Sequence, residues 1–205
     1  CWDGIGKEYR WKKGICGGEI SYYTSNDQKN FLNPAGMYGW TWEEASAKYH
    51  ISYMLANNAP GSKHATVERF REAGIAAGYT FRVSDCRTNG LETRLVVSNQ
   101  GIAPIYRDAF FAIGNVQSDV SLRGLLPGEG MEIVIPVGLT NSNDLQIVSP
   151  YILPTQTIEF ETGVFTAVDN TTIQQPSPAV KYLQDGQIVI QRGNERYTVM
   201  GQVIE

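Results

Sequence analysis

The sequence predicts an α+β fold, and three observations along the chain support this class. The first is an alternation of short apolar runs with helical patterns over residues 1–78. The second is a series of short strands separated by turn residues over residues 79–165. The third is a hairpin pattern in residues 179–205, which come after a polar, proline-containing linker at 166–178.

The first strand is predicted to end at Glu19, at the opening of a long loop. Residues 15–20 form an apolar run that is too short for a helix and is interrupted by glycines. More than fifteen residues without periodicity come next, and we expect no regular structure in them. A loop of that length inside a compact domain is more often functional than not. Its aromatic residues are Tyr22, Tyr23, Phe31, Tyr38, Trp40 and Trp42.

Two helices and a second strand complete the first part of the chain. Thr41 is predicted to cap a helix in a capping box with Glu44, and this helix ends near His50. Residues 50–55 form a second apolar run, and a further helix is predicted from Thr66 until Gly78. This alternation implies parallel strands with crossover helices. Two strands cannot enclose a core, so they either end a (β/α) barrel or pack directly on the second part of the chain.

The second part of the chain is predicted to be an antiparallel β-sandwich. Its seven predicted strands lie at about 79–86, 91–98, 105–114, 119–124, 131–138, 145–152 and 157–165. Pro136 favours an edge position for its strand, because proline cannot donate a ladder hydrogen bond. In the tail, residues 187–191 and 195–199 flank a turn at 192–194, which predicts the hairpin.

The composition and charge of the chain argue against several classes of binding partner. The 205 residues carry 17 Lys and Arg against 21 Asp and Glu, for a net charge of −4, with no basic stripe. Nucleic acid and anionic membranes are therefore not expected as partners. No apolar stretch reaches the roughly 20 residues of a membrane span. Because the chain begins with Cys1 rather than Met, we expect it to be a piece of a longer protein.

The three cysteines, Cys1, Cys16 and Cys86, show no C-x-x-C spacing, so a structural zinc site is not expected. They are either buried or free thiols, or one disulfide with one thiol left over. The two histidines, His50 and His64, are a weak basis for a metal site. We therefore predict no metal and no cofactor.

Several segments resemble a known family. GGEISYY, HISYMLANN, AGYTFRV and SNQGIAPIYRDAFFAI with LLPGE after it are similar to the C-terminal half of a domain-of-unknown-function family of secreted Bacteroidetes proteins. The resemblance covers roughly residues 15–163. It implies a glycosidase-like (β/α) barrel joined directly to a β-sandwich, with a secreted, periplasmic or cell-surface location. The tail is similar to C-terminal segments that act as sorting signals in that phylum.

Under this resemblance, Glu19 lies at the carboxyl end of the penultimate barrel strand, where several retaining glycosidase families carry the nucleophile. The alternative is that Glu19 is a solvated residue or the ion-pair partner of a nearby base. A partner carboxylate would come from the N-terminal barrel part of the same protein. The resemblance thus implies that the chain acts on, or only binds, a polysaccharide or oligosaccharide.

The remaining candidate residues would contact the carbohydrate. Tyr22, Tyr23, Trp40 and Trp42 could form a stacking platform, or they could pack the loop onto the fold. Asn57 and Asn58 could bind sugar hydroxyls, or they could simply form a turn before Pro60. Glu43 and Glu44 are interpreted as first-turn acids that stabilise a helix N-terminus. Arg107 and Asp108 are expected to hold a domain interface.

Overall fold

Two parallel strands and three α-helices form the first part of the chain, within the described portion of residues 8–78. The structure is a computed structural model, and it describes residues 6, 8–20, 24–56, 63–163, 180–184, 187–192, 195–198 and 203–204. The elements are β1 (Gly17–Glu19), α1 (Ser25–Asn30), α2 (Trp42–Tyr49), β2 (Tyr53–Leu55) and α3 (Val67–Ile75). Strands β1 and β2 pair in parallel, as the alternation predicts.

Both predicted helix starts are confirmed. The hydroxyl of Thr41 accepts a hydrogen bond from the Glu44 amide, and the Glu44 carboxylate accepts one from the Thr41 amide at 2.8 Å. His50 ends α2 in the left-handed conformation, with φ of 51°. Thr66 caps the start of α3 through its hydroxyl, which accepts from the Arg69 amide. Helix α3 ends at Ile75, before the predicted stop at Gly78.

The prediction of an irregular loop after Glu19 is wrong for part of that segment. Helix α1 lies inside it, and Thr24 caps its start by accepting a hydrogen bond from the Asp27 amide. The Asn30 side-chain amide donates to the Asn26 carbonyl oxygen at 2.8 Å. These polar residues favour turns and caps over helix interiors, so the sequence shows no apolar period there.

Seven strands form two sheets within residues 79–163. Their order is β7–β4–β3–β9 in the first sheet and β6–β5–β8 in the second, and all pairs are antiparallel except β3 with β9. The strands are β3 (Phe81–Thr88), β4 (Thr93–Asn99), β5 (Phe110–Ile113), β6 (Val116–Gln117), β7 (Gly130–Ile135), β8 (Leu145–Val148) and β9 (Glu161–Thr162). Strand β7 lies at a sheet edge, as Pro136 predicts.

The predicted strand at 119–124 does not form. This segment is irregular, and individual contacts rather than a ladder hold it in place. Leu122 is fully buried, and its amide donates to the Ala109 carbonyl oxygen at 2.8 Å. The hydroxyl of Ser121 donates to Asp108 Oδ1 at 3.1 Å. Val120 and Leu122 alternate with polar residues, as they would in a strand, and this explains the error.

The two sheets contribute side chains to one hydrophobic cluster. Alternate residues of β4 are buried, as a strand with one core-facing side requires. Fully buried members from the first sheet include Phe81, Val83, Leu95, Val97, Ile133 and Ile135. The second sheet adds Phe111, Ile113, Leu145 and Ile147. A separate, smaller cluster around Leu32, Trp42 and Ile51 includes residues of α2 and α3 and Met54 of β2.

Residues 169–205 form a second compact unit, separate from residues 1–168. Four antiparallel strands lie in it: β10 (Val180–Gln184), β11 (Gln187–Arg192), β12 (Glu195–Thr198) and β13 (Val203–Ile204). The predicted hairpin is the β11–β12 pair, and β10 and β13 pair on its two sides. These added strands support a hairpin that would be only marginally stable alone. The predicted linker at 166–178 lies outside the described residues.

The helices in the described ranges include none that is long and apolar enough to cross a membrane.

Candidate functional site

Glu19 is the last residue of β1 and lies beside a depression of about 320 Å³. Its neighbour across the parallel pair is Leu55, and the amide of Ile20 donates to the Leu55 carbonyl oxygen at 2.9 Å. Parallel strands present their carboxyl ends at one edge of a sheet, and there side chains can meet a ligand. The residues that line this depression, called here the Glu19 depression, are Cys16, Gly17, Gly18, Glu19, Tyr49, Ile51 and Met54.

The Glu19 carboxylate is exposed to solvent. Among the residues that the structure describes, its side chain forms no hydrogen bond and no ion pair. It is also the only carboxylate in the described lining of the depression. An exposed carboxylate of this kind can accept hydrogen bonds from the hydroxyl groups of a ligand.

The two glycines before Glu19 have different roles. A Cβ atom on Gly17 would collide with the Tyr53 carbonyl oxygen and would lie 2.5 Å from the Tyr53 ring. Glycine is therefore required at this position by the close approach of β1 and β2, rather than by a ligand. A Cβ on Gly18 would have no heavy atom within 4 Å, so the space above Gly18 is open.

A chain of hydrogen bonds joins β1 and β2 to the sheets. The Ser52 hydroxyl accepts from the Cys16 amide at 3.2 Å and donates to the Tyr106 hydroxyl at 3.3 Å. Tyr106 in turn donates to the Trp11 carbonyl oxygen at 2.6 Å. Burial raises the pKa of the Tyr106 hydroxyl further above its ordinary value.

Trp11 and His50 stack at the same joint. Their ring centres are 3.6 Å apart, and the planes are inclined by 10°. His50 Nδ1 lies 2.6 Å from the Ile102 carbonyl oxygen, which can only accept, so Nδ1 carries the hydrogen. The His50 ring therefore contacts Trp11, in the first part of the chain, and the backbone of Ile102, in the second part. His50 has a structural role here.

The expected interface role of Arg107 and Asp108 is taken by their neighbour Tyr106. Arg107 lies over the Tyr151 ring at 5.1 Å, and Asp108 accepts a hydrogen bond from Ser121. These partners all belong to residues 79–163. The Tyr106 hydroxyl instead reaches Trp11, 95 positions away in sequence. A tyrosine next to an Arg–Asp pair gives no sequence signal of that contact.

The two tryptophans of the predicted platform separate. Trp42 is only 8% exposed, and its indole N–H donates to the Ala73 carbonyl oxygen at 2.9 Å. This burial gives Trp42 a packing role between α2 and α3 in place of the predicted ligand contact. Trp40 is 43% exposed, and the Lys48 ammonium lies 4.0 Å from its ring centre. Trp40 therefore remains available to a ligand.

The other four predicted contact residues, Tyr22, Tyr23, Asn57 and Asn58, lie outside the described residues.

The first-turn acids of α2 have specific partners. Glu43 forms a bidentate ion pair with Arg69, with N–O distances of 2.6 and 3.1 Å. The hydrogen bond from Arg69 lowers the pKa of the Glu43 carboxyl. The hydrogen bond from the Thr41 amide likewise lowers the pKa of Glu44. Neither acid is available as a second catalytic carboxylate in this arrangement.

The described cysteines, Cys16 and Cys86, are free thiols. Burial raises the pKa of both, and the Cys16 thiol donates to the Tyr49 carbonyl oxygen at 3.2 Å. A protonated, hydrogen-bonded thiol is a poor nucleophile. Cys1 lies outside the described residues. In the described part of the chain, no group of three or more His, Cys, Asp or Glu side chains could hold a metal ion.

No family model matches the chain, and no curated protein and no solved structure is similar enough to match it either.

Proposed function

We propose that this chain binds carbohydrate at the Glu19 depression, as the C-terminal part of a secreted, periplasmic or cell-surface protein of the glycoside-hydrolase type. The observation that carries the proposal is the position of Glu19. It is an exposed carboxylate at the carboxyl end of a parallel strand, beside a depression lined by both apolar and polar groups. Sugars present C–H faces as well as hydroxyl groups, so such a lining suits them.

The parallel pairing of β1 with β2 supports the assignment of the first part of the chain to a (β/α) barrel. A strand, a helix and a parallel strand form a βαβ unit, here β1, α2 and β2, which is the repeating unit of (β/α) barrels. Parallel sheets normally contain more than two strands and are covered on both faces. We therefore assign residues 1–78 to the end of a barrel completed by an N-terminal part of the same protein. The two sheets of residues 79–163 are assigned to a β-sandwich.

Hydrolysis would require a second carboxylate opposite Glu19. The separation is about 5 to 5.5 Å in retaining enzymes and about 6.5 to 9.5 Å in inverting ones. Glu43 and Glu44 are committed to Arg69 and Thr41, so neither supplies that group. In the hydrolase proposal, the second acid comes from the N-terminal barrel part, and Glu19 is the nucleophile or stabilises the positively charged transition state.

The second candidate function is carbohydrate binding without catalysis. It requires no more than the single carboxylate in the described lining of the Glu19 depression. In this case Glu19 accepts hydrogen bonds from sugar hydroxyls, and Trp40 provides a stacking surface. The same residues serve in both candidates, and the difference lies in whether a second acid faces Glu19.

The test compares Glu19→Gln with the unchanged protein, both with the proposed N-terminal barrel part that carries the second acid, on a panel of oligosaccharides, by binding and by hydrolysis. Glutamine keeps the shape of the side chain but cannot act as a nucleophile. If the protein is a hydrolase, we expect kcat/KM to fall by about 100-fold or more while binding persists. If it only binds, the variant weakens binding, and neither protein cleaves any glycan.

The matched control is Glu161→Gln, on the exposed edge strand β9, which should change neither measurement. The proposal is overturned if no glycan is bound or cleaved. It is also overturned if Glu19→Gln behaves like the control in both assays.

A further inference from the structure

Trp40 is presented by a tight turn that holds two aromatic side chains outward. Residues 37 and 40 form an antiparallel bridge, and Tyr38 and Gly39 have φ of 54° and 84°. Positive φ at both central residues is what a type I′ turn requires, and it is uncommon for a bulky residue such as tyrosine. The Tyr38 hydroxyl donates to Asp27 Oδ1 at 2.7 Å, which fixes the turn to helix α1.

Lys48 connects this turn to the Glu19 depression. Its ammonium lies 4.0 Å from the centre of the Trp40 ring and 5.5 Å from the centre of the Tyr49 ring. Tyr49 is itself part of the lining of the Glu19 depression. The Lys48 ammonium therefore lies near one exposed aromatic ring and near a second ring that lines the Glu19 depression.

The Lys48 ammonium has no carboxylate partner among the residues that the structure describes. Glu44, one helical turn earlier, is the usual type of partner for it. Its carboxylate is instead hydrogen-bonded to the amide and hydroxyl of Thr41. Glu43 is paired with Arg69. A position in the last turn of α2 stabilises a positive charge through the helix dipole, but it does not explain why the ammonium lies on an aromatic ring.

We propose that Trp40, Lys48 and Tyr49 form a subsite for an acidic sugar, that is, one that carries a carboxylate or a sulfate. This inference rests on the proposed carbohydrate binding and names the substrate class. The ammonium offers three hydrogen-bond donors to an anionic group, and such charge-assisted bonds are strong. The surface of Trp40 that Lys48 leaves exposed can accept the C–H face of a neighbouring sugar unit.

The surroundings favour an acidic sugar over other anionic ligands. The net charge of the chain is −4, and its Lys and Arg residues are scattered along the sequence without a basic stripe. Nucleic acids and phospholipid surfaces are normally recognised by several clustered basic residues. An ammonium close to two aromatic rings suits a sugar unit that carries one acidic group.

The experiment measures binding of the full chain by calorimetry to paired glycans. One pair is a galacturonate hexamer and its methyl ester, and the other is a sulfated galactan oligosaccharide and its desulfated form. The variants are Lys48→Met, which removes the charge but keeps the chain length, Lys48→Arg, which keeps the charge, and Trp40→Ala. Lys29→Met, on the exposed surface of helix α1, is the matched control.

We expect the acidic member of at least one pair to bind about 10-fold more tightly than its neutral counterpart at low salt. Lys48→Met should abolish this preference, whereas Lys48→Arg and Lys29→Met should retain it. Trp40→Ala should weaken both members of the pair. The pair that shows the preference distinguishes a carboxylate from a sulfate.

The subsite is refuted if neither pair shows a preference for the acidic glycan, or if Lys48→Met and Lys29→Met give the same result. Binding of neutral glycans that depends on Glu19, without any acidic preference, would refute the subsite and leave the proposed function standing. Failure of every glycan to bind would refute both.

Discussion

Asn99 is a fully buried residue at the end of β4, and both the nitrogen and the oxygen of its side-chain amide are hydrogen-bonded to the backbone. The nitrogen donates to the carbonyl oxygens of Ala103 and Leu125 at 3.0 and 2.9 Å. The oxygen accepts from the amides of Thr80 and Gly101 at 3.2 and 2.9 Å. The side chain thus orders the turn that leads to residue 102, whose carbonyl oxygen binds His50. We predict that Asn99→Asp is strongly destabilising.

The expected loss of stability follows from these four hydrogen bonds. Aspartate is nearly isosteric with asparagine, and one of its oxygens keeps the two backbone N–H donors. The other oxygen faces two carbonyl oxygens, so two hydrogen bonds are replaced by repulsion in a buried site. A buried acceptor without a partner costs about 1–3 kcal/mol, and more when it is charged. We therefore expect the free energy of unfolding to fall by about 3–5 kcal/mol at pH 7.

The loss of stability in the Asn99→Asp variant should depend on pH. Burial and the two facing carbonyl oxygens raise the pKa of the introduced carboxyl in the folded state above its ordinary value of about 3.9. A group with a raised folded pKa is stabilising below its unfolded pKa, and that stabilisation is lost as pH rises through the folded pKa. The deficit of the Asn99→Asp variant should therefore be smaller at pH 4 than at pH 7.

The assay is urea unfolding monitored by near-ultraviolet circular dichroism at both pH values. Asn89→Asp is the matched control, because the exposed Asn89 side chain accepts from the amides of Leu91 and Glu92 and aspartate can do the same. We expect the control to change stability by less than about 0.5 kcal/mol. Equal urea midpoints for the two variants, or a stability deficit of Asn99→Asp that does not depend on pH, would contradict this prediction.

Two further predictions concern the packing around the site. Glu43→Gln should lower stability by about 0.5–1 kcal/mol at pH 7, since Glu43 is 45% exposed and solvent screens its pair with Arg69. The lowered folded pKa of Glu43 means that its contribution is present above the ordinary value of 4.5 and lost below the folded pKa. The urea midpoints of variant and unchanged protein should converge in acid, and a constant difference would contradict this. Gly101→Ala should cost about 1–3 kcal/mol, because its Cβ would lie 2.5 Å from the Thr80 amide nitrogen. Gly74 is exposed on α3 with open space around it, so Gly74→Ala should instead stabilise the protein by about 0.5–1 kcal/mol. If Gly74→Ala and Gly101→Ala shift the melting temperature equally, this interpretation is wrong.

The helices show where sequence reasoning is strong. The capping box of Thr41 and Glu44 spans three residues, and its geometry depends only on local backbone and side chains. The same holds for Thr66 at the start of α3. Helix α1 is harder to predict because its residues are polar, and its cap at Thr24 is the one local signal that it offers.

The candidate site shows where sequence reasoning is weak. Glu19 can be placed at a strand end from the apolar run before it. The difference between Trp40 and Trp42 is not predictable in the same way, because it depends on which ring packs against Ala73, 31 positions after Trp42. Lys48 gives no signal either, since a lysine in the last turn of a helix is ordinary in sequence and its position on Trp40 is a three-dimensional property.

The sequence by itself determined the α+β class, the two helix caps, the parallel pair ending at Glu19 and most of the strands. These features arise from periodicity and from hydrogen bonds between residues at most four positions apart. Only the tertiary structure decided that Gly17 makes room for Tyr53, that Tyr106 joins the sheets to Trp11, and that Lys48 lies beside the Glu19 depression. Such contacts depend on how elements distant in sequence pack, and no local pattern records the packing partner.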